Sequence, residues 1–246
     1  MKLKIFSFLF VILQAQFATA EVQLAQAYQS AVRDASIAEP GEIARNLIAI
    51  TKENSHLVWN EDQSKILVVT WKSQSSYEKF LRDETHTSTS EAFVVWVTTV
   101  PQVQQFCQEY IRNTANVTEE AVNLRLKQYL GLHYTWQYDV FVEMWVNPAE
   151  IFRPCVDPEV NDCQCDLEFG NPAPVVQNIR DYPLFYKNLY FQDFRSQPGV
   201  PWTGLGYTYD WKNSLTEQGA SEFILIPGAA YEIKNAVTTM TYCKPE

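Results

Sequence analysis

The chain has 246 residues, of which 46% are hydrophobic, 14% aromatic and 20% charged. This balance is typical of a folded protein and excludes a disordered, collagen-like or coiled-coil chain. Asp and Glu number 29 against 19 Lys and Arg, which gives a formal net charge of -10 and a pI of about 4.9. Nucleic acids and anionic lipids bind to basic surfaces, so we expect neither as the main partner.

Residues 1–20 have the three parts of a secretory signal peptide. Two lysines precede an apolar stretch at residues 5–13, and small residues follow up to Ala20. As a helix the apolar stretch would span ~14 Å, about half of a ~30 Å hydrocarbon core, which disfavours a membrane anchor. We predict cleavage after Ala20, a secreted or periplasmic location, and no stable membrane insertion of the mature chain.

The mature chain begins with apolar residues at three-and-four spacing, which predicts helical structure over residues 21–50. A second helix is expected to start at Pro40, because proline favours the first turn of a helix. Apolar runs at residues 57–59 and 66–71 then flank a polar segment and predict a hairpin. The second run is apolar on both faces, so we expect it to be covered on both sides.

A further strand is predicted at residues 93–97, and Pro101 is expected to open a helix. The clearest helix runs over residues 118–130, from a threonine N-cap to the stop signal at Gly131. The run at residues 137–146 is predicted to be a strand. Its alternation places two carboxylates and two aromatics on one face, namely Asp139, Phe141, Glu143 and Trp145.

The composition changes at residues 147–174, where prolines and cysteines predict a long loop stapled by disulfides. A helix is expected over residues 178–194, followed by a segment rich in glycine and aromatics. Strand-like runs close the chain at residues 223–226, 231–237 and 241–243. Nothing in the composition divides the chain, so we predict a single α+β domain over residues 21–246, with a mixed or antiparallel sheet and helices packed on its faces.

Five cysteines follow the predicted cleavage site: Cys107, Cys155, Cys163, Cys165 and Cys243. In an oxidising compartment they are expected to form disulfides, and the odd count leaves one thiol. Cys155 is expected to bridge to Cys163 or Cys165, and Cys107 with Cys243 would tie a helix to the C-terminal segment. Zinc sites usually pair cysteines two to four residues apart, so the C-x7-C-x-C spacing predicts no metal site.

Sequence motifs for cofactor or nucleophile chemistry are missing from the chain. It has only three histidines, and no G-x-S-x-G, dinucleotide or P-loop pattern occurs. We therefore expect no cofactor. The remaining candidates for catalysis are carboxylates.

The candidate catalytic residues are Glu143, Asp210 and Glu222. Glu143 would act as general acid or base beside one of the other two. Asp139 does not qualify as its partner, because four residues along a strand span ~13 Å and glycosidase pairs need ~5 to ~9.5 Å. The competing interpretation is that Glu143 pairs with an arginine such as Arg153 or Arg125.

The segment from Trp202 to Trp211 concentrates aromatic side chains with glycine and threonine. This composition predicts a stacking surface for an unknown small molecule, a glycan or a protein. The predicted binding residues are Trp202, Tyr207, Tyr209 and Trp211, joined by Trp145. The alternative is that these aromatics cap the hydrophobic core.

Several strings over residues 40–243 form a recognisable set, of which the most distinctive are FVEMWV at 141–146, FRPCVDPE at 152–159 and LGYTYDW at 205–211. Together they resemble a family of uncharacterised exported bacterial proteins without an established activity. The resemblance implies a single exported domain and says nothing about mechanism. Members often carry an arginine where this chain has Gly204.

Two hypotheses for function follow. The first is a non-catalytic exported protein that binds a ligand or partner through the aromatic face. The alternative is a cofactor-free hydrolase of cell-envelope polymers that uses paired carboxylates. A cavity holding Glu143 and a second carboxylate would favour the hydrolase, whereas burial of Trp202 and Trp211 would weaken the binding surface.

Overall fold

The most apolar segments of the chain pair into one antiparallel sheet of six strands. The structure, a computed structural model, describes residues 20–213 and 215–245. Its strands are β1 (Ile66–Lys72), β2 (Val95–Thr99), β3 (Val140–Val146), β4 (Ile151–Phe152), β5 (Tyr207–Tyr209), β6 (Gln218–Ser221), β7 (Phe223–Leu225) and β8 (Tyr231–Thr238). The order in the sheet is β4-β7-β2-β1-β3-β8, and β5 pairs with β6 in a separate ribbon.

The helices after the first begin where the sequence supplies a capping side chain or a proline. They are α1 (20–34), α2 (Gln74–Phe80), α3 (Gln102–Asn113), α4 (Glu119–Tyr129), α5 (Tyr182–Arg195) and α6 (Thr239–Tyr242). Thr118 Oγ1 accepts a hydrogen bond from Ala121 N at the start of α4, and the Asp181 carboxylate accepts one from Leu184 N at the start of α5. Each cap stabilises its helix by ~1 kcal/mol. The helix predicted over residues 118–130 is confirmed.

The two faces of the sheet bury different side chains. Along β1, Val68 points toward the cluster that includes Leu189 of α5, whereas Val69 points toward Val103 of α3 and Leu126 of α4. β1 is therefore covered on both sides, as the sequence predicts. The prediction of a single α+β domain, with helices on the faces of an antiparallel sheet, is confirmed.

Two disulfides tie loops and termini to this core. Cys107 bonds to Cys243 and joins α3 to the end of α6, while Cys155 bonds to Cys165 and staples the loop after β4. Cys163 is a free, exposed thiol. Disulfides of this kind fit an oxidising extracellular environment. Among the described residues, no helix has the length and apolar character needed to span a membrane.

The largest difference from the sequence prediction lies at residues 39–50. Only a 3-10 turn forms there, at Pro40–Glu42, and no helix follows it. Leu47 N donates instead to Cys163 O at 3.0 Å, and Ile48 N donates to Ser221 Oγ at 2.9 Å. These partners lie far along the chain, so tertiary hydrogen bonds override the local apolar periodicity and the predicted helix is wrong.

Other differences are smaller. The strand predicted at residues 57–59 reduces to a single bridge between Trp59 and Ile66, and residues 241–243 form the end of α6 and its cap rather than a strand. β6 has no counterpart in the prediction. A Cβ atom at Gly219 would lie 2.2 Å from Tyr129 O, so this strand needs glycine where a strand pattern has an apolar residue. Residues 1–19 of the predicted signal peptide lie outside the described residues.

Candidate functional site

The central sheet divides between β1 and β2. The two strands pair only near Val69, which lies opposite Thr98. Beyond this point residues 70–72 pair with β3 alone, and β2 continues along β7. A cavity of about 370 Å³, here called the fork cavity, is lined by the diverging ends of β1 and β2, by α5, and by the segments around residues 130–138 and 200–202.

Aromatic side chains form much of the wall of the fork cavity. They include Trp71, Trp96, Trp136, Tyr138, Trp202 and Tyr209. The rings of Trp96 and Trp202 meet edge to face, with centroids 6.4 Å apart. Such contacts fix the rings, because edge-to-face pairs gain energy beyond the burial of their area. At the mouth, Glu91 and Gln192 are exposed to solvent.

Glu222 lies at the inner end of the fork cavity, between β6 and β7. Its backbone N–H donates to Gly206 O at 3.0 Å, and the residue is 6% exposed. In the described part of the protein, neither its Oε1 atom nor the Nε1 atom of Trp202 makes a hydrogen bond of standard geometry, although the indole N–H lies close enough to the carboxyl group to lower its pKa. Buried polar atoms are almost always paired, so two unpartnered atoms on one cavity wall require an explanation.

The environment of the fork cavity favours neutral acids. Burial, together with the charge of Asp193, raises the pKa of Glu222 to about 8, and the nearby indole N–H of Trp202 lowers it only in part. Burial also raises the pKa of Asp193, on α5, to about 7. Both pKa values lie far above those of exposed carboxyls, which is the pattern found at binding and catalytic sites.

A lysine shares this cavity with the two acids. Lys72, the last residue of β1, lines the wall and is half-buried. Burial lowers the pKa of its ammonium group. None of the ion pairs in the described residues includes Lys72, Asp193 or Glu222. In the described residues, a lysine and two acids thus share the cavity without forming an ion pair.

The predicted aromatic face does not form one exposed surface. Trp202, Tyr207, Tyr209 and Trp211 are all buried, at 3 to 8% exposure. Trp202 and Tyr209 line the fork cavity, whereas the Tyr207 hydroxyl donates to Glu42 O and the Trp211 indole packs on Tyr28 of α1. The alternative, that these aromatics cap the core, therefore describes Tyr207 and Trp211.

Trp145 lies away from the other predicted binding residues. It is on the face of β3 opposite to Met144, and the Lys234 ammonium lies 5.8 Å from the centre of its ring. It does not line the fork cavity. Trp145 therefore does not share a cavity with Trp202 and Tyr209, because its face of β3 turns toward α3 and α6.

The three predicted catalytic carboxylates occupy three separate environments. Asp210 accepts two hydrogen bonds from Arg125, at 2.9 and 2.7 Å, and is 2% exposed. Glu143 forms an ion pair with Lys234 at 3.3 Å. Only Glu222 lies in the fork cavity. The structure therefore does not bring Glu143 together with Asp210 or Glu222.

The arginines expected to pair with Glu143 are engaged elsewhere. Arg125 binds Asp210, and Arg153 is fully buried and binds Asp162 at 2.6 Å. The predicted arginine partner is therefore wrong, since lysine takes that place. Arg153 instead organises the stapled loop, and it also donates a hydrogen bond to Ile48 O, in the segment before β1.

Glu143 lines a second cavity, of about 420 Å³, on the α3 side of the sheet. Gln104, Lys234 and Tyr242 line it as well. Burial raises the pKa of the Tyr242 hydroxyl, and that hydroxyl has no partner among the described residues. The second cavity contains a single carboxylate, so it lacks the pair that acid–base hydrolysis needs.

Sequence reasoning missed Asp193 and Lys72. Asp193 continues an apolar stripe on α5, in which Tyr182, Phe185 and Leu189 are buried at spacings of three and four residues. An acid on such a stripe is a signal of a buried carboxyl. Lys72 ends an otherwise apolar strand, and its sequence context is that of an ordinary solvent-exposed lysine.

The chain matches no family model, no curated protein and no solved structure. The case for its function therefore rests on the fork cavity.

Proposed function

We propose that this protein is an exported, non-catalytic binding protein that holds a small ligand in the fork cavity. The unpartnered buried atoms of Glu222 and Trp202 carry the proposal. Leaving a buried donor or acceptor unsatisfied costs ~1 to ~3 kcal/mol. A ligand with complementary polar groups offsets that cost, while the aromatic wall contributes apolar contact.

The size and construction of the fork cavity support this proposal. Its volume of about 370 Å³ falls in the range of small-molecule sites, which is roughly 300 to 1,000 Å³. Part of its wall comes from β1, β2 and α5, and the rest comes from the segments around residues 91–94, 130–138 and 200–202 and from Glu222. A few polar groups among apolar and aromatic wall residues are typical of sites that orient one ligand.

A secreted or periplasmic location is part of the proposal. The signal-like segment at residues 1–20, the two disulfides and the resemblance to exported bacterial proteins all favour it. The net charge of -10 favours a small molecule, a glycan or a protein over nucleic acid as the partner.

The experiment compares ligand binding in two tryptophan variants. Ala92 is exposed at the mouth of the fork cavity, and Ala38 is exposed on the segment after α1, outside the cavity lining. A panel of small molecules is screened by thermal shift and by intrinsic tryptophan fluorescence. We expect ligands of the wild type to lose at least about tenfold in affinity in Ala92→Trp and to retain it in Ala38→Trp. Equal binding by both variants would contradict the proposed site.

A second candidate function is hydrolysis, which the presence of Asp193 and Glu222 in one cavity favours. A protonated Glu222 is suited to donate a proton to a leaving oxygen, with Asp193 as the second carboxyl. Release of reducing ends from envelope polysaccharides, abolished in Glu222→Gln and retained in Glu61→Gln, would establish it. Binding without release of reducing ends supports the non-catalytic function.

A further inference from the structure

We infer that the ligand of the fork cavity is a small organic cation, an ammonium compound held by Glu222 and Asp193 between tryptophan rings. This inference rests on the proposed function, because it names the chemistry of the ligand at the same site. It is carried by three features of the cavity: an unpartnered acid, an aromatic wall and an excess of carboxyl groups.

The first feature is the unpartnered acid. Glu222 is buried, lines the cavity and has an Oε1 atom without a hydrogen-bond partner in the described protein. Elsewhere the fold pairs its buried acids, as it does for Asp210 with Arg125. A buried carboxylate is stable only with a counter-ion or several hydrogen bonds. An ammonium group supplies both.

The second feature is the aromatic wall. Trp96, Trp136 and Trp202 line the same cavity as the acid. The face of an indole ring attracts cations, and sites that bind quaternary ammonium groups combine several such faces. A hydrated metal ion gains little from this surface, since it keeps its water shell. The wall therefore favours an organic cation.

The third feature is the balance of charged groups on the cavity wall. The carboxyl groups come from Glu91, Asp193 and Glu222, whereas the only lining ammonium in the described residues is that of Lys72. Burial lowers the pKa of Lys72, which weakens its competition for the acids. An anionic ligand would meet three carboxyl groups and a single lysine.

Proton release on binding is the expected signature. Burial raises the pKa of Glu222 to about 8 and that of Asp193 to about 7, so at pH 7 Glu222 is mostly protonated and Asp193 about half protonated in the ligand-free protein. A bound cation favours their ionised forms, and affinity for it then rises with pH between 6 and 8. Loss of the Lys72 proton also raises the affinity for a cation, because it removes a positive charge from the cavity. Glu91 lies at the exposed mouth of the cavity. Tyr138 and Tyr209 have raised pKa values and stay neutral.

The experiment is titration calorimetry with four probes of similar size. They are benzylammonium, benzyltrimethylammonium, neutral benzyl alcohol and anionic benzoate, each measured at pH 6, 7 and 8 in two buffers of different ionisation enthalpy. We expect both cations to bind at least about tenfold more tightly than the neutral and anionic probes, with proton release. The difference between the two cations reports whether the site needs N–H donors.

Variants distinguish the role of the acid. Glu222→Gln is expected to lose about tenfold in affinity for the cations and most of the proton release. Glu61→Gln, which changes an exposed acid on the loop before β1, is expected to bind like the wild type. Asp193→Asn provides a second test if Glu222→Gln fails to fold, with the same losses expected to a smaller extent.

The outcomes separate this inference from the proposed function. Binding of benzyl alcohol or benzoate as tightly as the cations, with loss in Ala92→Trp, would overturn the inference and leave the fork cavity as a ligand site. Binding of none of the four probes would overturn the inference, whereas equal binding of a screened ligand by Ala92→Trp and Ala38→Trp would overturn the proposed site. Cation binding that is unchanged in Glu222→Gln and in Asp193→Asn would also overturn the inference.

Discussion

Two buried acids, Asp210 and Glu222, show how the same chemical group serves structure in one region and remains available in another. Both are nearly inaccessible, at 2% and 6% exposure. Asp210 accepts two hydrogen bonds from Arg125 and a third from Lys212 N. Among the described residues, Glu222 forms no ion pair, and its Oε1 atom makes no hydrogen bond of standard geometry. Burial alone therefore does not identify a site; a buried acid without partners does.

The largest expected effect comes from breaking the satisfied pair. Arg125→Met keeps an apolar side chain near the Phe106 ring, 4.6 Å from the guanidinium, and leaves Asp210 as an unpaired buried charge. We expect the free energy of unfolding to fall by about 3 kcal/mol, measured by urea denaturation at pH 7. Arg112→Met, on an exposed position of α3, is the control. A loss no larger than in this control would contradict the structural role of the pair.

Replacing Glu222, the unpartnered acid, is expected to raise the free energy of unfolding rather than lower it. Between pH ~4.5 and ~8 the unfolded chain loses the proton of Glu222 while the fold keeps it, so this residue makes stability fall as pH rises. Glu222→Gln removes that loss. We expect the variant to be more stable than the wild type by about 2 kcal/mol at pH 6 and nearly equal to it at pH 4, by urea denaturation. A variant that is less stable than the wild type at pH 6 would show that the carboxylate is stabilised in the fold.

The smallest effect is expected at the third acid, Glu143. Its partner Lys234 is 44% exposed in its side chain, so solvent screens the pair. Lys234→Met should lower the free energy of unfolding by less than about 1 kcal/mol. Lys65→Met, which removes a more exposed pair with Glu232, serves as the reference. If Lys234→Met costs as much as Arg125→Met, the second cavity is far less hydrated than this comparison assumes.

The parts of the fold that could be predicted are those with local causes. α4 has its cap at Thr118 and its stop at Gly131, and β3 alternates between two buried faces. The helix predicted at residues 43–50 is wrong, because the hydrogen-bond partners of this segment come from the stapled loop and from Ser221. An apolar period shows which face is buried but not which distant segment covers it.

The candidate site was predictable only in part, for a related reason. Glu222 and Trp202 attract notice because an acid and aromatics are concentrated in the C-terminal part of the sequence. Asp193 and Lys72 join them through the divergence of β1 from β2, which no local pattern encodes. Asp210 does not line the cavity, and Arg125 of α4 pairs with it instead. Residue type suggested the chemistry, and topology decided which residues share a site.

Glu222 is proposed to be a buried acid whose carboxyl group is available to bind a ligand in the fork cavity. The most direct test is a ¹³C NMR titration of its side-chain carboxyl, assigned by comparison with Glu222→Gln, with and without benzylammonium. We expect a pKa of about 8 in the free protein and a pKa lowered by at least about one unit when the amine is bound. A pKa near that of an exposed glutamate, unchanged by every ligand that binds the protein, would contradict the account.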